Sequence, residues 1–171
     1  MSPYWLMLCS MAMVIALGAA SARGQELSPQ DKEFVKASGS GGMLEVRLGQ
    51  YASDNAGSDD VKKFGEHMVG DHTKTNMELH TVATQVPIEI PYSLSEDDQK
   101  VLDRLEKLKG TEFDEAYVAQ MIEDHEKDVA AFQKEVSDGS LIAVKAFAEK
   151  TLPILKHHLE MAKELQKKMG L

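Results

Sequence analysis

Two short stretches of the sequence repeat one pattern around an Asp-His pair. Residues 67–75 read HMVGDHTKT and residues 120–128 read QMIEDHEKD, so His72 and His125 each directly follow an aspartate. Neutral imidazole is the commonest protein ligand of transition metals, and a carboxylate often orients its second nitrogen. The repeat therefore makes these two histidines the first candidates for a metal site.

Helical periodicity places both histidines on buried faces. At about 100° of rotation per residue, His72 shares a face with Leu79, and His125 shares one with Phe132. In the segment KHHLE, His158 falls on the apolar face, whereas His157 is turned away and is expected to meet solvent. Each of three helices therefore directs one histidine inward.

A carboxylate completes the candidate set. Glu45 shares an inner face of its helix with small residues, including Gly41 and Gly49. The predicted site consists of one side chain from each long helix, all near one level: Glu45, His72, His125 and His158. Nitrogen and carboxylate ligands of this kind suit iron, manganese, zinc or copper. The alternative is a purely structural network, although burying so much unpartnered polarity is costly.

Residues beside these four have more ordinary interpretations. Asp71 and Asp124 point toward helix seams, where they either accept a proton from an imidazole or remain surface acids. Met68 and Met121 are expected to fill the core rather than bind copper. His67 lies off the buried face and needs no function.

Start and stop signals predict the helices that hold the site. Ser28-Pro29, Ser58, Ser95 and Thr111 are predicted helix starts, and glycine or proline marks the ends. The predicted helices cover residues 28–56, 58–86, 95–109, 111–137 and 140–168. Gly39, Gly41 and Gly42 either allow close packing of the first helix or precede its true beginning.

Connection lengths predict the topology. Short links make the first and last pairs of long helices antiparallel hairpins, and the long middle link can cross the bundle. The predicted fold is all-α: a ferritin-like antiparallel four-helix bundle with a short extra helix in the long crossover between helices 2 and 3. A chain of 171 residues, 43% of them hydrophobic, can bury one such core, so residues 23–171 are predicted to form one domain.

The first residues predict export. Residues 6–20 are apolar and uncharged, and Ala20-Ser21-Ala22 is a small-x-small cleavage pattern, so residues 1–22 are predicted to be a signal peptide. A retained membrane anchor is the competing interpretation. Cleavage removes Cys9, the only cysteine, and leaves a periplasmic or outer-envelope protein without a transmembrane anchor. A net charge of −9 argues against nucleic-acid binding.

Four segments together resemble a known family. GMLEVRLGQYA, VKKFGEHMVGDHTKTNMEL, GTEFDEAYVAQMIEDHEKDVAAF and VKAFAEKTLPILKHHLEMAKEL are similar to the DUF4142 family, exported bacterial proteins of unknown function. The resemblance implies a ferritin-like bundle and matches Glu45, His72, His125 and His158 to the family motif. No Glu-x-x-His precedes these histidines, as Val69, Ile122 and Leu155 show, which disfavours a two-metal centre.

Two functions remain open at this point. One is a metal-binding protein that stores or buffers the ion or, if it is an enzyme, acts as a metal-dependent oxidoreductase. The other is a non-catalytic envelope protein, a homodimer or the partner of another envelope protein, whose His-Glu network only stabilises the fold.

Overall fold

The computed structural model describes residues 27–86 and 88–171, and in these ranges the chain forms five helices joined by loops, without strands. Its helices are α1 (Pro29–Asn55), α2 (Asp59–Gln85), α3 (Glu96–Leu105), α4 (Gly110–Asp138) and α5 (Ile142–Met169). The all-α prediction is confirmed. The predicted signal peptide 1–22, Cys9 and the predicted stop at Pro87 lie outside the described residues. Across the described ranges, each helix is too short or too polar to be a candidate membrane span.

Most helix boundaries follow the capping signals. Side chains of Ser28, Ser58 and Ser95 cap α1, α2 and α3, as predicted. The start predicted at Thr111 is wrong, since α4 begins at Gly110 after Lys109, which makes no side-chain cap. The predicted end of α3 is also wrong, because the helix stops at Leu105 rather than at residue 109.

The four long helices pack antiparallel to their neighbours around one interior. Along α1 and α2, Gly49 faces Gly65 and Gly42 faces Asn76, so positions advance in opposite directions. Two contacts along each of the other neighbouring pairs show the same reversal. They are Phe34 to Phe132 and Tyr51 to Phe113 for α1 and α4, Phe132 to Phe147 and Glu126 to Lys163 for α4 and α5, and Glu78 to Lys150 and Asp60 to Lys168 for α2 and α5. The short helix α3 lies against α1 and α4.

Glycines of α1 allow α2 to approach closely. The helix continues without a break through Gly39, Gly41 and Gly42, so these glycines do not precede its beginning. A Cβ would meet Ile90 at Gly39 and Asn76 at Gly42, whereas at Gly41 it would meet nothing. A Cβ on Gly49 would lie 2.7 Å from the carbonyl oxygen of Gly65, closer than such atoms can approach. Alanine at this crossing would force the two helices apart, which would also move the neighbouring Glu45.

Apolar side chains fill the interior on both sides of a polar layer. One cluster includes Leu48, Met68, Tyr117 and Met121, all fully buried, and confirms the packing role predicted for both methionines. A second cluster, which includes Phe132, lies nearer the start of α1 and the α4–α5 turn. Between the two clusters lies the layer that contains Glu45 and the histidines.

Buried aspartates fasten the two hairpin turns at opposite ends of the molecule. Asp31 accepts hydrogen bonds from the backbone N–H of Ser28 at 2.8 Å and of Ser140 at 2.9 Å, which ties α1 to the α4–α5 turn. Asp114 accepts from the N–H of Gly57 at 2.9 Å and of Ser58 at 2.8 Å, which ties α4 to the α1–α2 turn. Both acids are satisfied by donors from the chain itself.

Candidate metal centre

All four predicted residues meet in the polar layer. Glu45 is 2% exposed, His72 3%, and His125 and His158 are fully buried. The three imidazole ring centroids lie 5.1 to 5.7 Å from one another. Each residue comes from a different long helix. The four residues lie at one level because antiparallel helices of similar length have their midpoints at the same height.

One nitrogen of each imidazole faces the centre of the layer. One ring nitrogen each from His72, His125 and His158 lies within 4.8 Å of those of the other two, a spacing that could hold a metal ion. His72 Nε2 and His158 Nδ1 are 3.2 Å apart, and His125 Nε2 is 3.4 Å from Glu45 Oε1. Ligands of a tetrahedral ion with bonds of about 2.0–2.1 Å lie about 3.4 Å from one another, close to both distances.

The other nitrogen of each imidazole meets an acceptor. His125 Nδ1 is 2.8 Å from the carbonyl oxygen of Met121. His72 Nδ1 is 2.8 Å from Glu45 Oε2, and His158 Nε2 is 3.2 Å from Asp71 Oδ2. Metal-binding histidines almost always donate their remote N–H to such a carbonyl or carboxylate, which fixes the ring and its tautomer. All three imidazoles are therefore oriented as ligands of one ion would be.

Counting ring protons shows that the chain does not satisfy this layer by itself. The carbonyl of Met121 only accepts, so the single proton of a neutral His125 must lie on Nδ1. Its Nε2 and the facing Glu45 Oε1 are buried acceptors, and neither has a hydrogen-bond partner. His72 and His158 together make three contacts: His72 with Glu45, His72 with His158, and His158 with Asp71. Two neutral imidazoles have two N–H protons, so one of these contacts lacks a proton. Added protons or a cation must complete the set.

Burial keeps the imidazoles neutral. It lowers the pKa of His72 to about 4, although Asp71 acts in the opposite direction. Burial and the nearby His72 lower the pKa of His158 to about 4, and burial also lowers the pKa of His125. Burial raises the pKa of Glu45 to about 7, against the effect of His125. Three neutral imidazoles are the form that binds metal, and a cation would favour ionised Glu45.

A small cavity of about 20 Å³ adjoins the layer beside Glu45 and His72. Thr75, Asn76 and Thr151 contribute polar side chains to its wall. This volume accommodates about one water molecule. The cavity therefore has room for one water molecule next to Glu45.

The two Asp-His pairs differ in their surroundings. Asp71 contacts the imidazole of His158 on a neighbouring helix. Of the two predicted alternatives for Asp71, the contact with an imidazole is therefore correct. Asp124 instead accepts a hydrogen bond from Gln120 at 2.9 Å, and its other oxygen is buried without a partner. The sequence repeat thus gives two inward histidines but only one carboxylate that orients an imidazole.

The sequence interpretation of His67 was incomplete. His157 is exposed as predicted, but His67 Nε2 lies 3.2 Å from Asp71 Oδ2, and its ring lies 5.5 Å from that of His158. The spacing of four residues between His67 and Asp71 was the available signal, since it places both side chains on one side of a helix. His67, Asp71 and His158 also have ligand atoms within 4.8 Å of one another.

A family model described as "Domain of unknown function (DUF4142)" matches residues 16–165 of the chain. The match includes α1, α2 and α4 in full and α5 as far as residue 165, and therefore all four residues of the layer. No curated protein and no solved structure matches the chain.

Proposed function

The chain belongs to the DUF4142 family, and from that starting point we propose that it binds one transition-metal ion through His72, His125 and His158, with Glu45 as the fourth ligand. In this proposal residues 1–22 are a cleaved export signal. Residues 23–171 form one ferritin-like antiparallel four-helix bundle, which works in the periplasm or at the outer envelope.

One observation carries the proposal: every imidazole of the layer directs one nitrogen inward and has an acceptor at its other nitrogen. The acceptors are a backbone carbonyl for His125, Glu45 for His72 and Asp71 for His158. A purely structural network requires only one proton between each pair of facing polar groups. An ion needs three lone pairs near one point and three oriented rings. The ring nitrogens within 4.8 Å of one another and the acceptors at the remote nitrogens support this interpretation.

A bound ion would supply Lewis acidity or, if it is iron, manganese or copper, redox chemistry. The residues around the ion would determine its other ligands and the room left for water. The group with ligand spacing comprises the three imidazoles without Glu45, so Glu45 Oε1, 3.4 Å from His125 Nε2, would have to move toward the ion while Oε2 holds the N–H of His72. The adjoining cavity leaves room for one water molecule. The apolar clusters above and below exclude bulk water from the layer.

The donor set favours a single ion. Two-metal ferritin centres use several carboxylates, whereas Glu45 is the one carboxylate that contacts two of these imidazoles in the described structure. Val69, Ile122 and Leu155 occupy the positions where such centres have glutamate. We therefore favour a mononuclear site that stores or buffers an ion, or that exchanges electrons through it.

Elemental analysis of protein purified from its native compartment tests the proposal. We expect about one ion of iron, manganese, zinc or copper per chain, removable by a chelator and restored by adding the metal. A metal content well below one ion, unchanged after each of the four metals is added, would contradict it. That result would instead support the structural network, with the missing protons on Glu45 and an imidazole.

A further inference from the structure

Beside the proposed centre lies a second group with the spacing of metal ligands, and it is partly open to solvent. Its members are His67, Asp71 and His158, whose ligand atoms lie within 4.8 Å of one another. The side chain of His67 is 42% exposed and that of Asp71 26%, whereas His158 is fully buried. This outer group therefore extends from the surface to the polar layer.

A cleft open to solvent meets the outer group at His67, while Asp71 and His158 lie outside its wall. It has a volume of about 330 Å³ and lies between α2 and α5, where His67 forms part of its wall. Asp60 and Glu164 give it acidic side chains, balanced by Lys63 and Lys168. The exposed ring of His157 lies 6.1 Å from that of His67. A hydrated cation can reach His67 through this cleft without any opening of the helices.

His158 belongs to both groups through different atoms. Its Nδ1 faces His72 Nε2 in the inner layer, and its Nε2 faces Asp71 Oδ2 in the outer group, each at 3.2 Å. A neutral imidazole has one proton and one lone pair, so it can bind one ion at a time. The two groups are therefore alternatives for a single ion and share this ring.

We propose that the outer group is a loading site, where a divalent transition-metal ion binds first before it passes to the inner centre. This inference rests on the proposed function. In the outer position the ion is bound by His67, Asp71 and His158 Nε2, and the Nδ1–H of His158 donates to His72. In the inner position the ion is bound at Nδ1, and Nε2–H donates to Asp71. The proton of Nδ1 is released to solvent as the ion enters the inner position, and Nε2 takes up a proton from solvent by way of Asp71 and the partly exposed His67, so the charge of the ring is unchanged.

A second cleft also leads to the polar layer. An acidic cleft of about 320 Å³ between α1 and α4 also reaches Glu45, and Asp98, Asp124 and Asp128 contribute to its wall. Within the described residues, these acids do not form a group with ligand spacing, whereas His67, Asp71 and His158 do. Uptake through the acidic cleft is therefore the competing route that the experiment must separate.

The experiment follows Co²⁺ uptake by the metal-free full-length protein, using stopped-flow absorption of the ligand-field bands. We compare wild type with His67→Ala, with His80→Ala as a matched exposed histidine of α2, and with Asp128→Asn for the acidic cleft. We expect His67→Ala to slow uptake by about 10-fold or more while the final content stays at one ion per chain. His80→Ala and Asp128→Asn should load at the wild-type rate.

Nitrogen-15 NMR of His158 with Zn²⁺ checks the exchange of ring atoms. We expect the bound nitrogen to be Nδ1 in the wild type and Nε2 in His72→Ala, where the inner set is incomplete, with circular dichroism confirming that the variant is folded. Unchanged uptake in His67→Ala, slowed uptake only in Asp128→Asn, or Nδ1 binding in both proteins would overturn the inference. Wild-type protein that binds no Co²⁺ would instead overturn the proposed function itself.

Discussion

The ends and the centre of this molecule bury polar groups in different ways. At the ends, Asp31 accepts from the N–H of Ser28 in its own helix cap and of Ser140 in the α4–α5 turn, and Asp114 accepts from the N–H of Gly57 and Ser58 in the α1–α2 turn. At the centre, Glu45 Oε1 and His125 Nε2 face each other as acceptors without a donor. The chain thus completes the polar contacts of the two turn aspartates and leaves those of the central pair incomplete. Glu135 Oε1, at the end near Asp31, and the Tyr117 hydroxyl are also buried without a partner.

This difference separates a structural role from a binding role. A buried acid that serves only the fold is expected to be satisfied by the chain, because an unsatisfied polar group weakens folding. The central layer instead has oriented rings, neutral nitrogens and a deficit of protons, which a cation would correct. Changes at the centre should therefore alter metal binding, and changes at the ends should alter stability alone.

The largest expected effect is the loss of the ion from the centre. We expect His125→Ala to weaken metal binding by about 100-fold or more, since even partners outside the ligand set are worth about 10- to 100-fold. Titration calorimetry with the metal found in the wild type measures this change. His80→Ala, which removes an exposed histidine, is the control and should bind as the wild type does.

The next effect is stabilisation by the ion. Free metal at about 100 times its dissociation constant should stabilise the wild type by about 2.7 kcal/mol. For a chain of this size, we expect the thermal midpoint to rise by about 5 to 10 °C. Scanning calorimetry should show no such rise for His125→Ala. An equal rise in both proteins would mean that the ion binds elsewhere.

At the ends, Asp31 should contribute a similar amount to the free energy of unfolding, and this contribution should depend on pH and not on metal. Although burial alone would raise it, hydrogen bonds from Ser28 and Ser140 lower the pKa of Asp31 from 3.8 to about 2. Because the folded state favours the ionised acid, this contribution of about 2 kcal/mol is complete above pH 4 and is lost as the pH falls toward 2.

Urea unfolding at pH 7 and at pH 3 measures the contribution of Asp31. Asp31→Asn should reduce the free energy of unfolding at pH 7 by about 2 kcal/mol and flatten the acid limb, with metal affinity unchanged. Asp54→Asn, an exposed acid of the same helix, should have no effect. A loss of metal binding in Asp31→Asn would break the separation between ends and centre.

The smallest effect compares the aspartates of the repeated pairs. Asp71→Asn should weaken metal binding by about 10-fold, because Asp71 accepts the remote N–H of His158. Asp124→Asn should leave the affinity unchanged, because Asp124 contacts Gln120 and none of the three imidazoles. Equal effects of the two changes would show that charge near the layer, rather than orientation of His158, determines the affinity.

Helical periodicity was sufficient to predict which side chains enter the layer. His72, His125 and His158 each lie at the centre of an apolar face, and the equal lengths of the hairpins bring helix midpoints together. The same reasoning distinguished buried His158 from exposed His157. Capping serines likewise gave the beginnings of α1, α2 and α3.

Contacts between helices were beyond the sequence. Nothing in the two Asp-His pairs indicates that Asp71 meets an imidazole while Asp124 meets Gln120, because the rotation and offset of neighbouring helices decide it. The same geometry brings His67 close to His158.

The prediction that α4 starts at Thr111 was wrong. The helix begins one residue earlier, at Gly110, which adopts a positive φ of 59°.

The central claim is most directly tested by an anomalous difference map, measured at the absorption edge of the metal in crystals of the metal-loaded protein. The proposed centre predicts one peak about 2.0 to 2.3 Å from Nε2 of His72, Nε2 of His125 and Nδ1 of His158. The claim is contradicted if metal-treated crystals show no peak in the polar layer and the three imidazoles hydrogen-bond only to one another and to water.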